Sequence, residues 1–172
     1  MQINMNNRTT KIVVTGIMIA MAIILNRLIP ATPIYHLTLD FVPITIIAYY
    51  LGPVWAGIAY GICDALGSIV FPFGAYNPMI TVSLVLIGVF YGFVLYKKEI
   101  SGKMLFARIV IASFGAFLIK LFITTYALWP YYGADGTYMA YVIARIPNCI
   151  AILIAQLVVM PLIYKFIIQK IQ

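Results

Sequence analysis

Three cations and three carboxylates stand where charge is costly: Arg27, Lys120 and Arg145, with Asp40, Asp64 and Asp135, fall in or beside long apolar runs. Burying an ionisable group in hydrocarbon costs roughly 2.5–3.5 kcal/mol even on the lenient insertion scale, so each requires a partner, a cavity or a route to water. Arg145 is followed one helical turn later by Asn148 on the same face. A guanidinium beside an amide suits an anionic ligand group, and it serves equally as half of a structural ion pair with Asp64 or Asp40. Lys120 reads as the more structural of the two, pairing with Asp64 or contacting an unwound carbonyl.

Aromatic residues crowd the loops near these charges. Residues 71–78 read Phe-Pro-Phe-Gly-Ala-Tyr-Asn-Pro. Pro72, Gly74 and Pro78 forbid a continuous helix, while Phe71, Phe73 and Tyr76 place rings at an oil–water boundary. A second cluster, Tyr126 with Trp129-Pro-Tyr-Tyr-Gly, mixes rings and turn formers in the same way. Both clusters fit an interfacial aromatic belt, and both fit the rim of a pocket that stacks on a flat ligand. His36 stands alone in a loop, and Cys63 and Cys149 lack any metal or disulfide spacing, so they read as packing residues.

The elements that carry these groups follow from composition. At 65% hydrophobic and 9% charged over 172 residues, with mean hydropathy +1.07, too little polar surface exists to cover a water-soluble fold. A spanning helix takes about 20 apolar residues, so the chain predicts an all-α integral membrane protein of six spans in a single 1–172 domain. The spans are read at about 11–29, 41–51, 53–71, 79–96, 105–128 and 138–166. The second is short for a full crossing. Glycines 57, 61 and 67 predict close helix approach in the third, and Pro147 and Pro161 predict kinks in the sixth.

Six crossings put Arg8, Lys11, Lys97, Lys98, Lys103, Arg108, Lys165 and Lys170, out of 11 basic residues, on the side of both termini. The positive-inside rule makes that side cytoplasmic and the 71–78 turn external. The net charge of +7 then matches anionic lipid headgroups rather than nucleic acid. Phosphate-cradling loops, zinc-protease spacings and nucleophile elbows are absent, which argues against an ATPase or hydrolase within this chain and implies no cofactor. A transported substrate would take its energy from elsewhere. Gly16 and Ala20, with Ala22 just beyond, form a small-residue stripe on the first span that packs either within the chain or against a second membrane protein.

Asp64-Ala-Leu-Gly67, the 71–78 string, Thr81-Val-Ser83 and Gly88-Val-Phe-Tyr-Gly92, with Leu51-Gly-Pro53 and Arg145, resemble the substrate-binding S components of energy-coupling factor (ECF) transporters, especially the folate group. The resemblance covers nearly the whole chain. It implies a vitamin-binding subunit of the prokaryotic plasma membrane that captures its ligand outside. It also implies docking on a transmembrane T component with two cytoplasmic ATP-hydrolysing subunits, followed by tipping in the bilayer to release the vitamin inward. By that resemblance Phe73, Tyr76, Asn77, Thr81, Tyr126, Trp129, Arg145, Asn148 and Asp40 become candidate ligand contacts, and Gly16, Ala20 and Ala22 the docking stripe. Three departures bear on the vitamin. Asp40 stands where the group usually has glycine, Thr124 and Ala127 replace an asparagine–tryptophan pair, and Asn148 replaces a lysine. Folate remains the first expectation, with pantothenate or a hydroxymethylpyrimidine thiamine precursor as alternatives. A self-sufficient ion-coupled carrier using Asp64, Lys120 and Arg145, and a membrane enzyme or scaffold, are the competing classes.

Overall fold

The computed structural model describes residues 7–27, 38–71, 76–96, 102–132 and 137–164, and every regular element among them is helical. The helices are α1 (Arg8–Arg27), α2 (Phe41–Leu51), α3 (Pro53–Val70), α4 (Pro78–Leu95), α5 (Gly102–Ile119), α6 (Thr125–Tyr132) and α7 (Tyr138–Ile163). A five-residue π-turn, Lys120–Thr124, joins α5 to α6. Five of the helical stretches are long and apolar enough to cross a membrane, the α5–α6 unit counting as one, while α2 at 11 residues is too short to do so alone.

Side-chain shape explains the packing order. α3 and α4 form the closest pair because their facing sides are small: a Cβ on Gly88 would stand 2.5 Å from the Ala56 carbonyl oxygen, and one on Gly92 would collide with the Pro53 backbone. In lipid, where apolar burial drives little association, that backbone proximity supplies the van der Waals contact holding the pair. The sharp link between α2 and α3 needs Gly52 at φ 90°, a conformation that side-chain-bearing residues rarely adopt.

Tyr60, Tyr91, Phe41, Ile44, Ile47 and Ile87 fill the centre of the bundle. Polar groups inside it pair across helices: Gln156 Nε2 donates to the Tyr91 hydroxyl at 2.9 Å, Ser83 and Thr124 share a 2.9 Å bond, and Asn26 Nδ2 donates to Asp40 Oδ2 at 2.8 Å. Each such bond contributes on the order of 0.6 kcal/mol in a membrane, but their directionality fixes which helix faces which. Large apolar side chains such as Ile12, Val54, Ile69, Phe93 and Ile143 point outward, as lipid contact demands.

One expectation is revised. The fifth long segment runs past residue 128 to Tyr132, with the π-turn and Pro130, whose missing amide removes one ladder bond, inside it. α7 runs as one helix from Tyr138 to Ile163 with Pro147 and Pro161 inside it. Cys63 and Cys149 are buried free thiols.

Candidate functional site

The ends of α1, α3 and α6 and the starts of α2, α4 and α7 gather at one end of the bundle, and the candidate residues are distributed around it. At the corner between α3 and α4, Thr81 Oγ1 donates to Asp64 Oδ2 at 2.6 Å and shares a 2.8 Å bond with the Tyr76 hydroxyl. Ser68 Oγ reaches back to the Asp64 carbonyl at 2.7 Å. Asn77 is engaged at both ends of its amide: Oδ1 accepts from the Met79 amide at 3.0 Å, capping α4, and Nδ2 donates to the Ala127 carbonyl at 2.6 Å, tying the corner to α6. A small cleft beside Asp64, lined also by Ile23, Asn26, Cys63 and Gly67, lies between α1 and α3.

The second group lies on α7. Arg145 is 6% exposed, and its Nε and Nη1 have no hydrogen-bond partner. Its guanidinium carbon lies 5.9 Å from the centroid of the Tyr141 ring one turn earlier, a cation–π contact. Asn148 is buried one turn beyond, at 4% exposure. No carboxylate of the described residues pairs with Arg145. Asp64 is held by Thr81 and Asp40 by Asn26, so the ion pairs that the sequence left open are not formed. Two buried guanidinium donors without an acceptor are the kind of groups that an anion can pair with.

The aromatic wall is partly assembled. Tyr138 makes edge contacts with Tyr126 at 6.0 Å and Trp129 at 6.1 Å, joining α6 to α7, and its hydroxyl donates to the Phe122 carbonyl at 3.0 Å. Tyr126 and Tyr76 keep half of their surface exposed. Phe73, Asp135 and His36 lie outside the described residues. Asp40 makes no described contact with Arg145. It is 2% exposed at the start of α2, with Oδ2 on Asn26 and Oδ1 without a partner.

On α1, a Cβ placed on Gly16 would meet nothing within 4 Å and Ala20 is exposed, whereas Ala22 is fully buried in the core. The stripe therefore consists of Gly16 and Ala20, and Ala22 leaves it because its position two residues beyond Ala20 lies on the opposite side of the helix. Tyr141 and the π-turn were not among the sequence candidates. The tyrosine was detectable as the residue one turn before Arg145 on the same face, but a π-turn has no periodicity signal.

Three comparisons bear on this geometry. A family model described as ECF transporter, substrate-specific component matches residues 10–164. The folate transporter FolT of Clostridium novyi (strain NT) is 32% identical over 113 residues, which take in 65% of this chain and 63% of that protein, so the match spans less than two thirds of the relative's length. A crystal structure of FolT bound with folic acid superposes with a TM-score of 0.80 at 27% identity, covering 92% of this chain and 95% of that one.

Proposed function

We propose, from the premise that this chain belongs to the family of ECF transporter substrate-specific components, that it is the vitamin-capturing subunit of an ATP-driven importer, with folate as its first ligand. The observation that carries the reading is Arg145, a buried guanidinium with two unsatisfied donors at the end of the bundle where the aromatic side chains also gather. A carboxylate bound to those donors has no protein partner to displace, which favours tight binding. The likeness to FolT, whose crystal structure holds folic acid, supports the choice of vitamin.

In this reading Trp129, Tyr126, Phe73 and Tyr76 stack on the ligand's flat ring. Arg145 and Asn148 take its anionic part. Asn77, Thr81 and Asp40 act chiefly by holding helix ends in place, since their side chains are already bonded within the protein. Six crossings leave both termini cytoplasmic and the site facing outward. Gly16 and Ala20 dock on the T component, and the partner ATPases supply energy.

Isothermal titration of folate into the purified chain in nanodiscs tests the reading. Arg145→Ala loses about 1.5–3 kcal/mol of binding, the worth of hydrogen bonds to a charged group. Unchanged affinity removes Arg145 from the site, and no folate binding by the wild type overturns the ligand assignment.

A further inference from the structure

Asp40 stands immediately before α2, where an acidic side chain ordinarily accepts from the amides of the helix's first turn, yet it makes no cap bond. The first turn explains why. Pro43 has no amide to offer, and the Val42 amide is taken by the Leu39 carbonyl at 3.1 Å. The side chain lies inside the bundle instead, 2% exposed.

What meets the carboxyl there is neutral. Asn26 Nδ2 of α1 donates to Oδ2 at 2.8 Å, and Tyr60 of α3 bonds to the same carboxyl. Oδ1 has no hydrogen-bond partner, and no cation among the described residues pairs with Asp40. Two residues earlier, Thr38 Oγ1 is also without a partner, on a side chain 3% exposed. The chain keeps the two Cα atoms within about 7 Å of each other. Each of these oxygens has given up water and received nothing from the protein in return, and for the carboxylate that is a net charge left uncompensated. The positive end of α2 offsets only part of it, since a helix terminus carries about half a charge. A water-sized opening borders the same group: the cleft between α1 and α3 is lined by Asn26, with Asp64 in its wall.

We infer that the start of α2 is a binding site for one monovalent metal cation of the sodium or potassium kind, held by Asp40 Oδ1 and Thr38 Oγ1. Carboxylate and hydroxyl oxygens are hard donors, which suit such ions better than zinc or copper. One carboxylate balances one positive charge, whereas calcium sites gather several acidic oxygens, and no group of three or more metal-ligating side chains occurs among the described residues. The ion neutralises the charge at the point where Asn26 of α1, Asp40 before α2 and Tyr60 of α3 meet, so its binding fastens these three helices to one another. The site is independent of the reading proposed for Arg145, because it takes a cation and requires no vitamin.

The experiment melts the detergent-purified chain in sodium, potassium and choline chloride at equal ionic strength, choline being too large for an enclosed site. The expected wild-type midpoint lies several degrees higher in sodium or potassium than in choline and climbs with ion concentration, as specific binding to the folded state requires. Asp40→Asn is expected to melt at one temperature in all three salts, and Thr38→Val to need about threefold or more ion for the same rise. Equal wild-type midpoints in the three salts overturn the site, and so does an ion-dependent rise that persists undiminished in Asp40→Asn. A rise given by calcium chloride and by neither monovalent salt overturns the charge of the bound ion. Should Asp40→Asn not fold, Thr38→Val decides: a raised ion requirement supports the inference, and an unchanged one overturns it.

Discussion

Thr81 shows what a single hydroxyl does in this molecule. It donates to Asp64 and bonds the Tyr76 hydroxyl, so one side chain couples α3, α4 and the turn between them. Thr81→Val keeps the shape and removes both bonds, leaving Asp64 with one donor fewer in a half-buried corner. A loss of about 1–3 kcal/mol is expected, read as a lower thermal midpoint in detergent, with Thr81→Ser close to wild type. The sequence revealed Thr81, Asn77 and Arg145 as residues worth attention. It did not reveal which were already engaged, because hydrogen-bond partners such as the Ala127 carbonyl lie 50 residues away and follow from helix packing rather than from any local pattern. Arg145 shows the reverse case: its type and depth suggested an ion pair or a ligand, and only the positions of Asp64 and Asp40 separate the two.

The helices themselves were largely legible, since apolar runs and proline–glycine punctuation are local properties of the chain. α3 and α7 begin where the punctuation places them, at Pro53 and Tyr138, α4 begins a residue earlier, at Pro78, and the shortness of α2 is visible in its composition. The π-turn was not legible, because one inserted residue leaves hydropathy unchanged. Close approach of α3 to a neighbour was readable from Gly57 and Gly61, but the partner glycines on α4 that make it possible needed coordinates. Gly92→Ala tests that contact: its methyl meets the Pro53 backbone and must push the two helices apart, at a cost of about 1–3 kcal/mol. The comparison is Gly16→Ala, where the same methyl meets open space and stability in detergent should stay within about 0.5 kcal/mol of wild type. Equal effects of the two substitutions would show that small residues act here through helix propensity rather than packing.

At the scale of the whole molecule, the proposed reading assigns binding and docking to different parts of the bundle. Arg145, the proposed anion anchor, lies on α7, whereas the exposed small-residue stripe lies on α1, which touches α2 and α3 rather than α7. Nothing described within the chain uses the open space over Gly16, and a flattened stripe on a lipid-facing helix gains contact energy only from another helix. A bulky residue there, Gly16→Leu, is therefore expected to leave folate affinity within about twofold of wild type, because no described contact links that position to Arg145. The same change blocks close helix approach and should reduce co-purification with a T component and vitamin uptake by about tenfold or more. Titration and uptake measured on the same variant separate the two roles. Loss of binding in parallel with uptake would mean that α1 shapes the ligand site from a distance, and normal uptake would mean that docking uses another face of the bundle.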